Sequence, residues 1–155
     1  MAFVVTVNIE RTFEVACSFD KVFDVVSDVP ESAGHFPKLA ELYDVGENSY
    51  LWEMEKVGVD KYSLQTSYAC KYVSDRAKGT VVWTPIKGEG NALVKGKWTV
   101  KKLGPKKTSL KLSTTADLDI PLPKMVKILV APLVSREFEG MVDQYIINLT
   151  DTFES

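Results

Sequence analysis

An α+β fold is predicted: a seven-stranded antiparallel sheet, two short helices after its first strand, and one long helix at the C-terminus. Three observations predict it. Residues 5–15 alternate apolar and polar side chains with a period of two, and residues 39–119 continue that alternation between turn signals too closely spaced for crossover connections. After residue 123 the period changes to that of a helix.

Val5, Val7, Ile9, Phe13 and Val15 alternate with Thr6, Asn8, Glu10, Thr12 and Glu14, the pattern of a strand with one dry face. Ser18 is placed to cap a helix in which Asp20 suits the first turn and Phe19, Val22, Phe23, Val26 and Val29 recur at three- and four-residue steps. Pro30 disfavours helix at Val29, so a second short helical segment over 30–35 is expected, closed by Pro37.

Beyond residue 39, Tyr50, Trp52 and Met54 alternate with their neighbours, as do Tyr62, Leu64, Thr66, Tyr68, Cys70 and Tyr72. Turn signals at 46–48, 57–60, 75–79, 87–91 and 104–105 divide this region into six further strands. The series from Tyr62 to Tyr72, then Ala92, Val94, Gly96, Trp98 and Val100, then Leu110, Leu112, Thr114, Ala116 and Leu118, are expected to share the dry face. Their intervening residues are rich in Lys, Ser and Thr.

After Pro121-Leu122-Pro123, a stripe of Val126, Val130, Val134, Phe138, Met141, Val142, Tyr145, Leu149 and Phe153 marks an amphipathic helix, with Arg136, Glu139 and Asp143 expected to face water. Pro132 removes a backbone donor and clashes with the carbonyl four residues earlier, so a kink or break over 128–132 is expected. The main segment, 135–153, is about 28 Å long at 1.5 Å per residue, enough to cover the sheet.

Composition narrows the function. A chain of 155 residues with 45% hydrophobic and 26% charged side chains can bury a full core, and nothing in it marks a linker or repeat, so one domain over 1–155 is expected. With 19 basic against 21 acidic residues and a net charge of -2, no overall field attracts nucleic acid or anionic lipid, and no stable membrane anchoring is expected. Two cysteines, Cys17 and Cys70, are too few for a disulfide framework. The first residues lack the basic start of a signal peptide, and no long apolar run follows, so a cytoplasmic protein is expected. One histidine and two distant cysteines leave a metal cage almost no ligands, and no cofactor is implied.

The order of elements and several local motifs resemble the helix-grip fold of the START-like, Bet v 1-like superfamily, in particular its small polyketide cyclase/dehydrase and coenzyme Q-binding-like members. The matching stretches are residues 13–30, from Phe13 through Asp28 and Pro30; Phe36-Pro37; Val81-Val82-Trp83; Gly96-Lys97-Trp98; Lys107-Thr108-Ser109-Leu110; and the proline-led start of the last helix. These are scaffold motifs. The resemblance implies a curved sheet wrapped around the helix, with a hydrophobic cavity between them in which relatives hold sterols, quinones, polyketides or other lipids.

Small residues at Ala92, Gly96, Thr114, Ala116 and Gly140 would leave volume for such a cavity, or would simply allow close packing of helix on sheet. A pocket of roughly 300 to 1,000 Å³ is expected. Tyr62, Tyr68, Tyr72, Trp83 and Trp98 either wall it or form ordinary aromatic core. Arg11 falls in the dry phase of the first strand; a bulge turning it outward, a structural ion pair and an anchor for a polar ligand head are the alternatives. The expected ligand-contacting set is Arg11, Leu64, Tyr68, Tyr72, Ala92, Gly96, Trp98, Ala116, Phe138, Met141, Val142 and Tyr145.

No catalytic set emerges. His35 has no triad spacing with Ser32, Glu53 and Glu55 point the same way, and Gly88, Gly90 and Gly96 precede strands rather than a helix that would bind phosphate. Lys101, Lys102, Lys106 and Lys107 form a solvated hairpin tip or a docking point for an acidic partner or membrane. Binding or transport of a hydrophobic small molecule or lipid is therefore the expected function. A polyketide cyclase or dehydratase and a quinone-handling or docking chaperone are the alternatives.

Overall fold

The structure, a computed structural model, describes residues 2–155. Strand β1 (Phe3–Val15) is followed by helices α1 (Phe19–Ser27) and α2 (Val29–Ala33), then strands β2 (Leu39–Gly46), β3 (Ser49–Met54), β4 (Val57–Val59), β5 (Tyr62–Leu64), β6 (Ser67–Asp75), β7 (Thr80–Gly90), β8 (Ala92–Gly104) and β9 (Lys107–Ile120). A 3-10 turn at Lys124–Val126 leads into α3 (Lys127–Phe153). Seven strands form one antiparallel sheet in the order β1-β9-β8-β7-β6-β3-β2, and β4 and β5 make a separate hairpin.

The alternation of the long strands survives intact. Val5, Val7 and Ile9 of β1, Val94, Trp98 and Val100 of β8, and Leu110, Leu112, Ala116 and Leu118 of β9 are all buried. Burying each side chain the size of valine or leucine contributes about 1.5 to 3 kcal/mol before entropy is charged against it. Ser18 caps α1, its hydroxyl accepting from the Lys21 amide at 3.3 Å, and the Asp28 carboxylate accepts from the Glu31 amide at 3.2 Å to start α2. Glu47 and Asn48 both have positive φ, the backbone of the two-residue turn between β2 and β3.

The helix is held from both edges of the sheet. At the β1 edge, Arg11 Nε donates to Asp143 Oδ1 at 2.8 Å and its Nη2 reaches Glu139 Oε1 at 3.4 Å. At the other edge Lys38, just before β2, pairs with Glu137 at 2.5 Å. The C-terminal end is tied down where Glu154 accepts from the Ala16 amide at 2.9 Å. Underneath, Tyr145 of α3 lies 6.1 Å from the Trp98 ring and 5.1 Å from the Phe36 ring. This is the expected grip, α+β, with one long helix clasped by a curved sheet.

Three local expectations give way. The run from Tyr62 to Tyr72 is two strands, because backbone groups at 65–67 bond out of the ladder: Asn91 Oδ1 accepts from the Ser67 amide, Asn91 Nδ2 donates to the Gln65 carbonyl, and Gln65 Nε2 donates to the Met54 carbonyl. The freed segment folds into the β4–β5 hairpin, which raises the strand count to nine. Pro132 does not break α3. The carbonyl it cannot bond, that of Ile128, belongs to an exposed residue in the first turn of the helix, where water can replace the missing amide. Gly140 is exposed with open space around it, so it neither enlarges a cavity nor permits close packing.

Candidate ligand-binding site

Two cavities lie between the sheet and α3. The first, about 70 Å³, is enclosed by rings: Trp52 of β3, Tyr68 and Tyr72 of β6, Trp83 of β7, Trp98 of β8, with Phe138 and Tyr145 of α3. Val26, Val29, Ser32 and Phe36 close it from the small-helix corner. The second, about 100 Å³, is aliphatic, with Met54, Val57, Val59, Leu64, Ile120, Val134 and Met141 on its walls and Glu55, Asp119 and Glu137 among its lining residues. Tyr68, Val94 and Phe138 belong to both and form the partition between them.

Each cavity falls well short of the roughly 300 Å³ at which small-molecule sites usually begin, because the interior space is divided rather than absent. Stacked and edge-on rings fill much of it: Trp52 stacks on Tyr68 with centroids 5.7 Å apart, and Tyr72 packs between Tyr50 and Trp83 at 6.0 Å from each.

Several polar atoms among these rings are paired. Trp52 Nε1 donates to the Tyr72 hydroxyl at 2.9 Å, Thr114 Oγ1 donates to the Lys95 carbonyl at 3.0 Å, and the Cys70 thiol donates to the Val94 carbonyl at 3.2 Å. The Tyr145 hydroxyl is bonded to Ser32. Among the described residues no side chain or backbone group hydrogen-bonds the Tyr68 hydroxyl. Among the described residues no fully enclosed side-chain oxygen or nitrogen lacks a partner, so the Tyr68 oxygen opens onto cavity space. Burial holds the phenols of Tyr68 and Tyr72 well above their ordinary value, and pushes the Cys70 thiol and the Tyr145 phenol up to about 12. At neutral pH the site is uncharged at its centre, and Tyr68 is a hydrogen-bond donor without an acceptor.

Leu64, Tyr68, Tyr72, Trp98, Phe138, Met141, Val142 and Tyr145 line one or both cavities, so the structure brings together eight of the twelve residues singled out above. The other four stand apart. Arg11 takes the ion-pair alternative, with its guanidinium drawn to Asp143 and Glu139 at the half-exposed end of the dry face. Glu139 and Asp143 thereby face Arg11 as well as water. Ala92 and Ala116 are buried against neighbouring strands and line neither cavity. Gly96 opens no space: a Cβ there would sit 2.5 Å from the Trp83 ring and 2.6 Å from the Ser113 carbonyl, because the indole lies across the glycine. Trp52 and Phe36 also line the aromatic cavity, and the alternation of Tyr50, Trp52 and Met54 puts Trp52 on an inward phase.

Known structures share this arrangement across almost the whole chain. A START superfamily protein from Mycobacterium smegmatis superposes with a TM-score of 0.68 at 14% identity, covering 94% of this chain and 96% of that one. The chain has the same fold as this START superfamily protein. Within that fold, the Zhui aromatase/cyclase from Streptomyces sp. R1128 aligns at 0.60 and 21% identity, covering 94% and 90% of the two chains. Norcoclaurine synthase from Thalictrum flavum aligns at 0.62 and 21%, covering 96% and 87%. No protein-family model and no curated protein matches the sequence. Among the described residues no helix of this START-like fold is long and apolar enough to cross a membrane, and no group of three or more His, Cys, Asp or Glu side chains gathers as a metal site.

Proposed function

We propose that this protein binds or carries a hydrophobic small molecule, a lipid or a flat ring compound, in the space between sheet and α3. The observation that carries this reading is the partition of Tyr68, Val94 and Phe138 between an aromatic and an aliphatic cavity. Displacing Phe138, which is only partly buried, joins the two chambers and adds the volume of its ring. A planar ring system then suits the faces of Trp52, Tyr72 and Trp98, an alkyl portion suits Leu64, Val134 and Met141, and a carbonyl or ether oxygen suits the free Tyr68 hydroxyl.

All three tryptophans of the chain are lining residues of the aromatic cavity, so intrinsic fluorescence reports its occupancy. Titration with anilinonaphthalene sulfonate, a flat hydrophobic probe, is expected to quench them to a one-to-one end point, with fatty acid or quinone competing. Val94→Phe, which fills the partition, is expected to remove the quench while circular dichroism shows the fold retained. Tyr68→Phe tests the same site without added bulk and is expected to weaken ketone-bearing ligands more than plain hydrocarbons. Unchanged quenching in Val94→Phe, or none in the parent protein, overturns the reading.

A second reading has its own support: an aromatase/cyclase and a synthase share the fold, and Tyr68 is an unengaged proton donor at the centre of the cavity. In a cyclase or dehydratase it would hydrogen-bond a substrate carbonyl and stabilise the negative charge that develops as a carbon–carbon bond forms. Turnover of a poly-ketone substrate that is lost in Tyr68→Phe while binding persists would select this reading.

A further inference from the structure

We propose that the start of α3 is a docking surface for an anionic lipid bilayer. Met125 is 86% exposed, Ile128 91% and Leu129 56%, so three large apolar side chains stand in water within five residues. Their spacing of three and four places them on one helical face, continued one turn later by the exposed Pro132. A contiguous apolar patch of this kind marks an interaction site, whereas isolated surface hydrophobics do not.

Charge identifies the partner. Between Asp119 and Glu137 the chain carries Lys124, Lys127 and Arg136 and no acidic residue, in a protein whose net charge is -2. All three cations are exposed and flank the apolar face. Apolar side chains to enter the acyl boundary, framed by cations to meet headgroup phosphates, make an interfacial helix end. A second copy of the chain fits poorly, because a two-fold contact through this face would set the same cations against each other. The patch is short, so docking is reversible and peripheral. Pro121 and Val134, on either side of it, are also wall residues of the aliphatic cavity, which places that cavity next to the docked bilayer. The proposal does not depend on what the cavity holds.

The test is co-sedimentation of the full chain with phosphatidylcholine vesicles, with and without phosphatidylserine, at low and high salt. Binding is expected only with phosphatidylserine and is expected to weaken as salt rises. Ile128→Glu combined with Leu129→Glu is expected to lower the apparent partition coefficient at least about tenfold. Lys124→Glu with Lys127→Glu is expected to act in the same direction, and thermal melting is expected to stay unchanged because these side chains touch little. Lys101→Glu with Lys102→Glu, on the distant hairpin, is expected to have a much smaller effect. Absent binding, binding that survives the Ile128 and Leu129 changes, or binding abolished only by the hairpin variant overturns the proposal. So does a concentration-dependent dimer in the free protein that Ile128→Glu dissolves, which would assign the face to a second copy.

Discussion

The β1–β9–β8 ladder and the β2–β3–β6–β7 part of the sheet are built differently. β1 pairs with β9 without a shift from Phe3 opposite Ile120 to Val15 opposite Thr108, and inside that register valine, isoleucine and leucine interdigitate. On the other side β2 and β3 slip twice, β6 and β7 slip between Tyr68 and Cys70, and β7 meets β8 over only four residue pairs, Thr80 to Trp83. Rings dominate there and enclose the aromatic cavity, to which β8 and β9 add Val94, Trp98, Leu112 and Thr114; the aliphatic cavity takes Val94, Leu118 and Ile120 from the same two strands, while β1 supplies no wall residue to either. Branched aliphatic chains close-pack on a pleated surface. Flat rings that must also satisfy hydroxyls and indole nitrogens stack at fixed offsets and leave gaps.

Alkaline titration should expose this contrast most strongly. Tyr68, Cys70 and Tyr72 of β6 and Tyr145 of α3 all have folded-state pKa values raised mainly by burial. The unfolded chain therefore releases these protons first. Stability is intact below the ordinary thiol value of 9.0 and falls as pH rises, first through Cys70 toward about 12, then through the tyrosines above 10.0. Each ionising group removes about 1.4 kcal/mol per pH unit. Urea midpoints are expected to drop steeply above pH 9, and less steeply in Cys70→Ser; a flat profile to pH 11 would mean that the rings are hydrated.

Core truncation comes next. Leu110→Ala in the aliphatic ladder is expected to cost about 3 to 5 kcal/mol by denaturant titration, since Leu110 is fully buried and lines neither cavity. Tyr68→Phe should change stability by less than about 1 kcal/mol, because its hydroxyl has no partner to lose. Equal costs at the two sites would erase the distinction. At the seam between the regions, Gly96→Ala forces a methyl into Trp83 and the β9 backbone and is expected to cost about 1 to 3 kcal/mol. Near-neutral stability there would show that the Trp83 ring moves freely. The smallest effect is expected at the edge: Arg11→Ala should cost under about 1 kcal/mol, and less at high salt, because its partners are half-exposed.

The sequence by itself determined the elements whose signals are local. A period of two over β1, β8 and β9, a period near 3.6 along α3, Ser18 and Asp28 ahead of α1 and α2, and turn residues at each hairpin are all written within a few residues of where they act. Eight of the cavity-lining residues were legible for the same reason, since inward phase on a strand or helix stripe is a local property. Only tertiary structure decided the rest. Arg11 and Asp143 lie 132 residues apart, and alternation alone could not show that the guanidinium would find a carboxylate on the helix. The space above Gly96 belongs to a ring from another strand, and the course of residues 65–67 is set by the side chain of Asn91. That the Tyr68 hydroxyl meets no partner among the described residues could be recognised only after its neighbours had been placed, because an unmet hydrogen bond is a property of the surroundings rather than of the residue.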